Sequence, residues 1–154
     1  SNNFNYKVNY DIYNLSSIAL KRNYSSNFIE NVQNENPDIF IVQLGDNLSR
    51  KNINLFKQDL SSIIKKLPKF KCGIFTTPFY PDEKKNQIFL ELSEKFNYYL
   101  VDLSNIIATS DKPHSKLAID EGKFIDPGVR AHPGDLGMSL IAKQIYATAK
   151  KCLD

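Results

Sequence analysis

Two places in this chain of 154 residues carry side chains that can do chemistry. The first is Gly45-Asp46-Asn47, directly after the apolar run Ile39 to Leu44. Gly45 lets the backbone turn sharply where a strand ends, and the amide NH₂ of Asn47 can donate to a developing oxyanion. Gly, Asp and Asn also make ordinary turns for purely local reasons, so the triplet alone does not choose between the two. The second place is His132-Pro133-Gly134-Asp135-Leu136-Gly137-Met138, followed by Ile141-Ala142. With Pro133 beside it and Asp135 expected to cap the following helix, His132 is held in a loop above the sheet, as suits a general base. An exposed histidine beside a helix cap is the plainer reading of the same residues.

These side chains need elements to position them, and the hydrophobic pattern supplies alternating strands and helices. Val8 to Tyr13 alternates like a half-buried strand, and Phe28, Ile29 and Val32 imply a short helix after a Ser25/Ser26 start and before Pro37-Asp38. Ile39 to Leu44 reads as a central parallel strand covered on both faces. Phe56, Leu60, Ile63, Ile64 and Leu67 share one helical stripe that Pro68 ends. Cys72 to Thr77 is a strand. Pro81 is expected in the first turn of a helix that turns Ile88, Phe89, Leu92 and Phe96 inward, and Tyr98 to Leu103 is the next strand. Weak periodicity from Ser104 to Ala131 marks a long loop, a candidate functional segment that contains His114. The last helix is expected to bury Met138, Ile141, Ala142, Ile145 and Ala149.

Strand-helix units with short links imply an α/β fold, a three-layer α/β/α sandwich whose mostly parallel sheet is flavodoxin-like. Ligands on such sheets gather beyond the carboxyl ends of the strands, after Leu44, Thr77 and Leu103. Phe79 and Tyr80, just past the second of these ends, are candidates to line a substrate pocket, or else they pack beneath a loop.

The bulk properties narrow the function. Residues 1–154 fit one domain, and a net charge of +3 with lysines scattered among carboxylates offers no stripe for nucleic acid. No apolar run approaches the roughly 20 residues of a membrane span. Cys72 and Cys152 have no metal-ligand spacing around them and are expected as free thiols, which leaves the compartment open between cytoplasm and an oxidising exterior. No glycine-rich phosphate loop supports a nucleotide-binding or receiver-like reading.

Taken together, PDIFIVQLGDN and, eighty-five residues beyond Asn47, HPGDLGMSLIA resemble blocks III and V of the SGNH/GDSL hydrolase superfamily. The stretch YDIYNLSSIAL, Tyr10 to Leu20, is similar to block II, with Ser16 or Ala19 where the family places an oxyanion-facing glycine. The resemblance implies an ester hydrolase in which Asn47 donates to the oxyanion and His132 activates a serine, acting without cofactor or metal on a small-molecule or carbohydrate ester. It spans nearly the whole chain.

Three departures matter. Leu48 stands where the family has an aspartate after the block III asparagine. Val129 stands three residues before His132, where a triad acid belongs, which leaves Asp126 or a backbone carbonyl to orient the imidazole. Asp135 fits a cap better than a triad acid. Finally, no G-D-S precedes block II, so the first family strand and its serine are expected in a segment upstream of Ser1 or in a second chain that completes the sheet. The alternative is a catalytically inactive binding module of the same fold.

Overall fold

The computed structural model describes residues 9–13, 26–107 and 132–154. Its elements alternate: α1 (Ser26–Glu35), β1 (Ile39–Val42), a 3-10 turn (Arg50–Asn52) running into α2 (Ile53–Ile64), β2 (Cys72–Thr76), α3 (Glu83–Phe96), β3 (Tyr99–Val101), α4 (Ser104–Ile107) and α5 (Asp135–Leu153). The three strands form one parallel sheet in the order β1-β2-β3, with Ile39 opposite Cys72 and Ile74 opposite Tyr99. The architecture is α/β.

Strand side chains alternate between two apolar clusters, as the two-residue repeat of a strand requires. Val42 and Phe75 pack with Phe28 and Val32 of α1, Phe56 and Leu60 of α2, and Phe89 and Leu92 of α3. Cys72, Ile74 and Val101 pack instead with Ile106 of α4 and Ile141 of α5. The short strands and helices follow from punctuation in the sequence. Asn36 and Asn97 both take positive φ, ending α1 and α3 at residues whose short amide side chains tolerate that conformation. Asp82 caps α3 by accepting from the Lys85 amide.

Five expectations are corrected. Ile39–Val42 is not central: among the described residues no strand lies outside it, Ile41 is 44% exposed, and the fully buried strand is β2. The strand expected over Val8 to Tyr13 is not formed in residues 9–13; Tyr10 and Ile12 are exposed, while Tyr13 leaves the alternation to pack edge-on to Phe28 and to donate its hydroxyl to Glu35 at 2.8 Å. Pro81 precedes the cap of α3 and is not in its first turn, because Asp82 supplies the capping oxygen. Asp135 is the first helical residue of α5, and Gly134 is the cap, so the carboxylate meets the positive helix start from within the first turn. On α5, Ile141 is buried, but Met138 is 52% exposed and Ala142 also faces outward. The helix is rotated so that Gly137, Ile141, Ile145 and Cys152 form its inner stripe.

The sixth correction is covalent. Cys72 and Cys152 are joined in a disulfide, and among the described residues there is no free cysteine. The last turn of α5 comes back to the first residue of β2, placing the two Cα atoms 5.6 Å apart, within reach of a disulfide. Sequence spacing could not show this, because the partners are 80 residues apart.

Candidate functional site

The disulfide sets the direction of α5. Its carboxyl end is tied to the start of β2, and the helix packs along β2 and β3, so it runs back over the sheet towards the strands' carboxyl ends. From Cys152 to Asp135 the helix climbs about 25 Å at 1.5 Å per residue, whereas Cys72 to Thr77 rises only about 16 Å at roughly 3.3 Å per residue. The start of α5, with His132 exposed just before it, therefore lies towards the carboxyl rim of the sheet.

The Gly45–Leu48 turn reaches that same rim from β1. The Leu48 amide donates to the Gly45 carbonyl at 3.0 Å, which closes the turn and leaves Asn47 exposed at its corner. Gly45 has φ +110°, a conformation in which L side chains are strained, and an added Cβ would lie 3.0 Å from the ring of Phe89. The glycine is required here on both counts.

Two charged side chains hold the turn. The Asp46 carboxylate accepts from the Phe79 amide at 2.8 Å and the Tyr80 amide at 3.4 Å, tying the β1 turn to the loop after β2. From α3, the buried Lys85 ammonium donates to the carbonyls of Gly45 and Asp46, both at 2.9 Å. Hydrogen bonds to a charged group contribute about 1.5–3 kcal/mol each, and leaving a buried ammonium unpartnered would cost more. Burial, followed by the Asp46 charge, raises the pKa of the Tyr80 phenol. Leu48, 4% exposed, anchors the turn from below within the main apolar cluster. With leucine at 48 the turn is thus hydrogen-bonded, and Asp46 supplies its carboxylate.

The ends of β2 and β3 are also joined. Thr77 donates to Asp102 at 3.1 Å and accepts from the Leu103 amide at 2.8 Å, while Asp102 accepts from the Ser104 amide at 2.9 Å. Burial on its own would raise the Asp102 pKa, but the hydrogen bonds from Ser104 and Thr77 outweigh it and the carboxyl lies below its usual range. Beside the turn, the Arg50 guanidinium at 2.8 Å holds the Asp82 carboxyl below the usual range.

Comparison with protein-family profiles, with curated proteins and with solved structures finds no match to this chain.

Gly45 and Asn47 follow β1 and His132 precedes α5, whose carboxyl end is bonded to the start of β2. Phe79 reaches the rim as a core residue, 2% exposed, so within the Phe79–Tyr80 pair only Tyr80 offers surface. Ser16, Ala19, His114 and Asp126 lie outside the described residues. Among the described residues no group of three His, Cys, Asp or Glu side chains converges as a metal site, and no helix is long and apolar enough to cross a membrane. A cavity of about 570 Å³ lies along α2 beside Lys95, around Ser61, and none of the rim residues lines it.

Asp46 and Lys85 hold the 45–48 turn, a part that sequence reasoning gave to neither. Asp46 looks like a turn residue, and Lys85 is one of two lysines near the start of an amphipathic helix. The available signal was helical phase: Lys85 falls three residues before Ile88 and four before Phe89, on the inward stripe of α3.

Proposed function

We propose that this chain is part of a serine-dependent ester hydrolase of the SGNH type, a three-layer α/β/α sandwich with a flavodoxin-like sheet, its nucleophilic serine contributed from outside residues 1–154. What supports the reading is the turn bearing Asn47, led by a positive-φ glycine after β1, together with the direction of α5, whose carboxyl end is bonded to the start of β2 and whose start, preceded by His132, thus lies towards the carboxyl end of a parallel sheet, where α/β folds bind their ligands. His132 takes the proton of the serine hydroxyl as it attacks the ester carbonyl, and returns it to the leaving alcohol. The Asn47 amide donates to the oxygen that becomes negative in the tetrahedral intermediate. Among the described residues no strand lies outside β1, and Ile41 is exposed, which fits a further strand carrying the serine into the sheet. The substrate class is a small acyl or carbohydrate ester.

Hydrolysis of nitrophenyl acetate, by this chain and by the longer gene product, tests the reading. We expect turnover only with the serine-bearing segment, lowered about 10²–10⁴-fold by His132→Ala and about 10²–10³-fold by Asn47→Ala. Rates equal to background in every sample would remove the hydrolase and leave a ligand-binding module on the same scaffold.

A further inference from the structure

Asn47 sits in a turn that follows β1, the outermost strand among the described residues, so its amide is useful as an oxyanion donor only if the backbone beneath it is fixed. The turn's own hydrogen bond, Leu48 N to Gly45 O, closes the loop but does not fix its height above the sheet. Two contacts from other elements do so. The Asp46 carboxylate grips the amides of Phe79 and Tyr80, and the Lys85 ammonium grips the carbonyls of Gly45 and Asp46 from α3, 40 and 39 residues away in sequence. Lys85 is itself held: its backbone amide donates to Asp82, which is paired with Arg50 from the segment just after the turn.

We propose that Lys85 is a positioning residue for Asn47: its buried ammonium, donating to two successive carbonyls, sets the orientation of the 45–48 turn and thereby the place of the oxyanion donor. An ammonium suits this task because it donates several hydrogen bonds and accepts none, so it can satisfy two carbonyls at once. Both carbonyls also become more polarised. The use of the turn rests on the hydrolase reading; its dependence on Lys85 does not.

The test is made on the full chain labelled with ¹⁵N, comparing wild type with Lys85→Met and Lys85→Arg. Met keeps an unbranched apolar stem and removes the charge, while Arg restores a cation with donors. We expect the backbone order parameter at Asn47 to fall from about 0.85 to below about 0.6 in Lys85→Met, with α2 unchanged, and to recover in Lys85→Arg. A rigid Asn47 in Lys85→Met overturns the proposal, as does equal loosening by Met and Arg, since a role in packing alone would not distinguish cation from apolar stem in that way. Should Lys85→Met fail to fold, the wild-type chain still decides. A slowly exchanging Lys85 ammonium signal coupled to the Gly45 and Asp46 carbonyl carbons supports the clamp, and its absence overturns it. A Lys85-dependent turn in an enzyme indifferent to Asn47→Ala would sink the hydrolase reading alone.

Discussion

Cys72, the first residue of β2, is bonded to Cys152 in the last turn of α5, so the helix that begins just after His132 is covalently tied to the strand at the centre of the sheet. The bond closes a loop of 80 residues that includes α3, β3 and the whole 108–131 segment. Cys72 is 1% exposed, and the bond lies in the apolar cluster beneath α5.

Removing this link should be costly. For a loop of this size the chain-entropy model gives about 4–5 kcal/mol, and measured losses are typically about 2–4 kcal/mol. Urea unfolding with and without reductant should show the wild type losing that stability on reduction, while Cys152→Ala is already weakened and insensitive to reductant. Wild-type unfolding that ignores reductant would show that the bond is not formed. A disulfide of this kind persists where thiols are not kept reduced, so the oxidised chain is the one to assay.

Gly73 lies under the ring of Tyr98, and an added Cβ would stand 2.3 Å from Cδ1 of that ring. Gly73→Ala should therefore cost about 1–3 kcal/mol or more through overpacking. Combining it with Tyr98→Leu should cost less than the sum of the two single changes, because the smaller side chain vacates the overlap. Additive losses in denaturant titrations would refute the contact.

Ile41 and Ile74 face each other across β1 and β2, yet one is 44% exposed and the other fully buried. Ile74→Ala should lose about 2–5 kcal/mol as a core truncation. In residues 1–154, Ile41→Ala should stay within about 0.5 kcal/mol of wild type, as surface changes usually do. If a further strand docks on β1, as the hydrolase reading proposes, its addition should raise the cost of Ile41→Ala, and thermal unfolding with and without that strand would show it.

Burial pushes the Tyr98 phenol from 10.0 up to about 12. Between these values the unfolded chain has released its proton and the folded chain has kept it, so stability falls as pH rises through that window. Below pH 10 the contribution is fully present. Tyr13, raised to about 12 chiefly by its hydrogen bond to Glu35, should also ionise late. Tyrosinate absorbance should show Tyr13, Tyr80 and Tyr98 ionising late among the described tyrosines, and Tyr98→Phe should remove one late phenol and flatten the alkaline loss of stability. Ionisation of Tyr98 at its ordinary value would show that it is solvated.

Local signals in the sequence were enough to mark most elements. Helices α1, α2 and α3 were legible because Phe28/Val32, Phe56/Leu60/Ile63 and Ile88/Phe89/Leu92 recur at helical spacing and are buried as that spacing implies. The strands at Ile39, Cys72 and Tyr99 were legible because short apolar runs lie between helix-ending prolines or a positive-φ asparagine. The boundaries were less so: Leu44 and Leu103 look like strand residues, but each has already left the ladder to begin a rim loop.

What the sequence determined by itself was the alternation of elements and the two places, Gly45-Asp46-Asn47 and His132-Pro133, where polar side chains follow or precede them. Tertiary structure alone decided that Ile41 is exposed, that Met138 faces outward, that Cys72 finds Cys152, and that Lys85 turns inward to hold Gly45. The reason is physical. Periodicity and turn chemistry act between residues a few positions apart, whereas strand order, the rotation of a helix about its axis and a bond across 80 residues depend on which surfaces meet once the chain has packed.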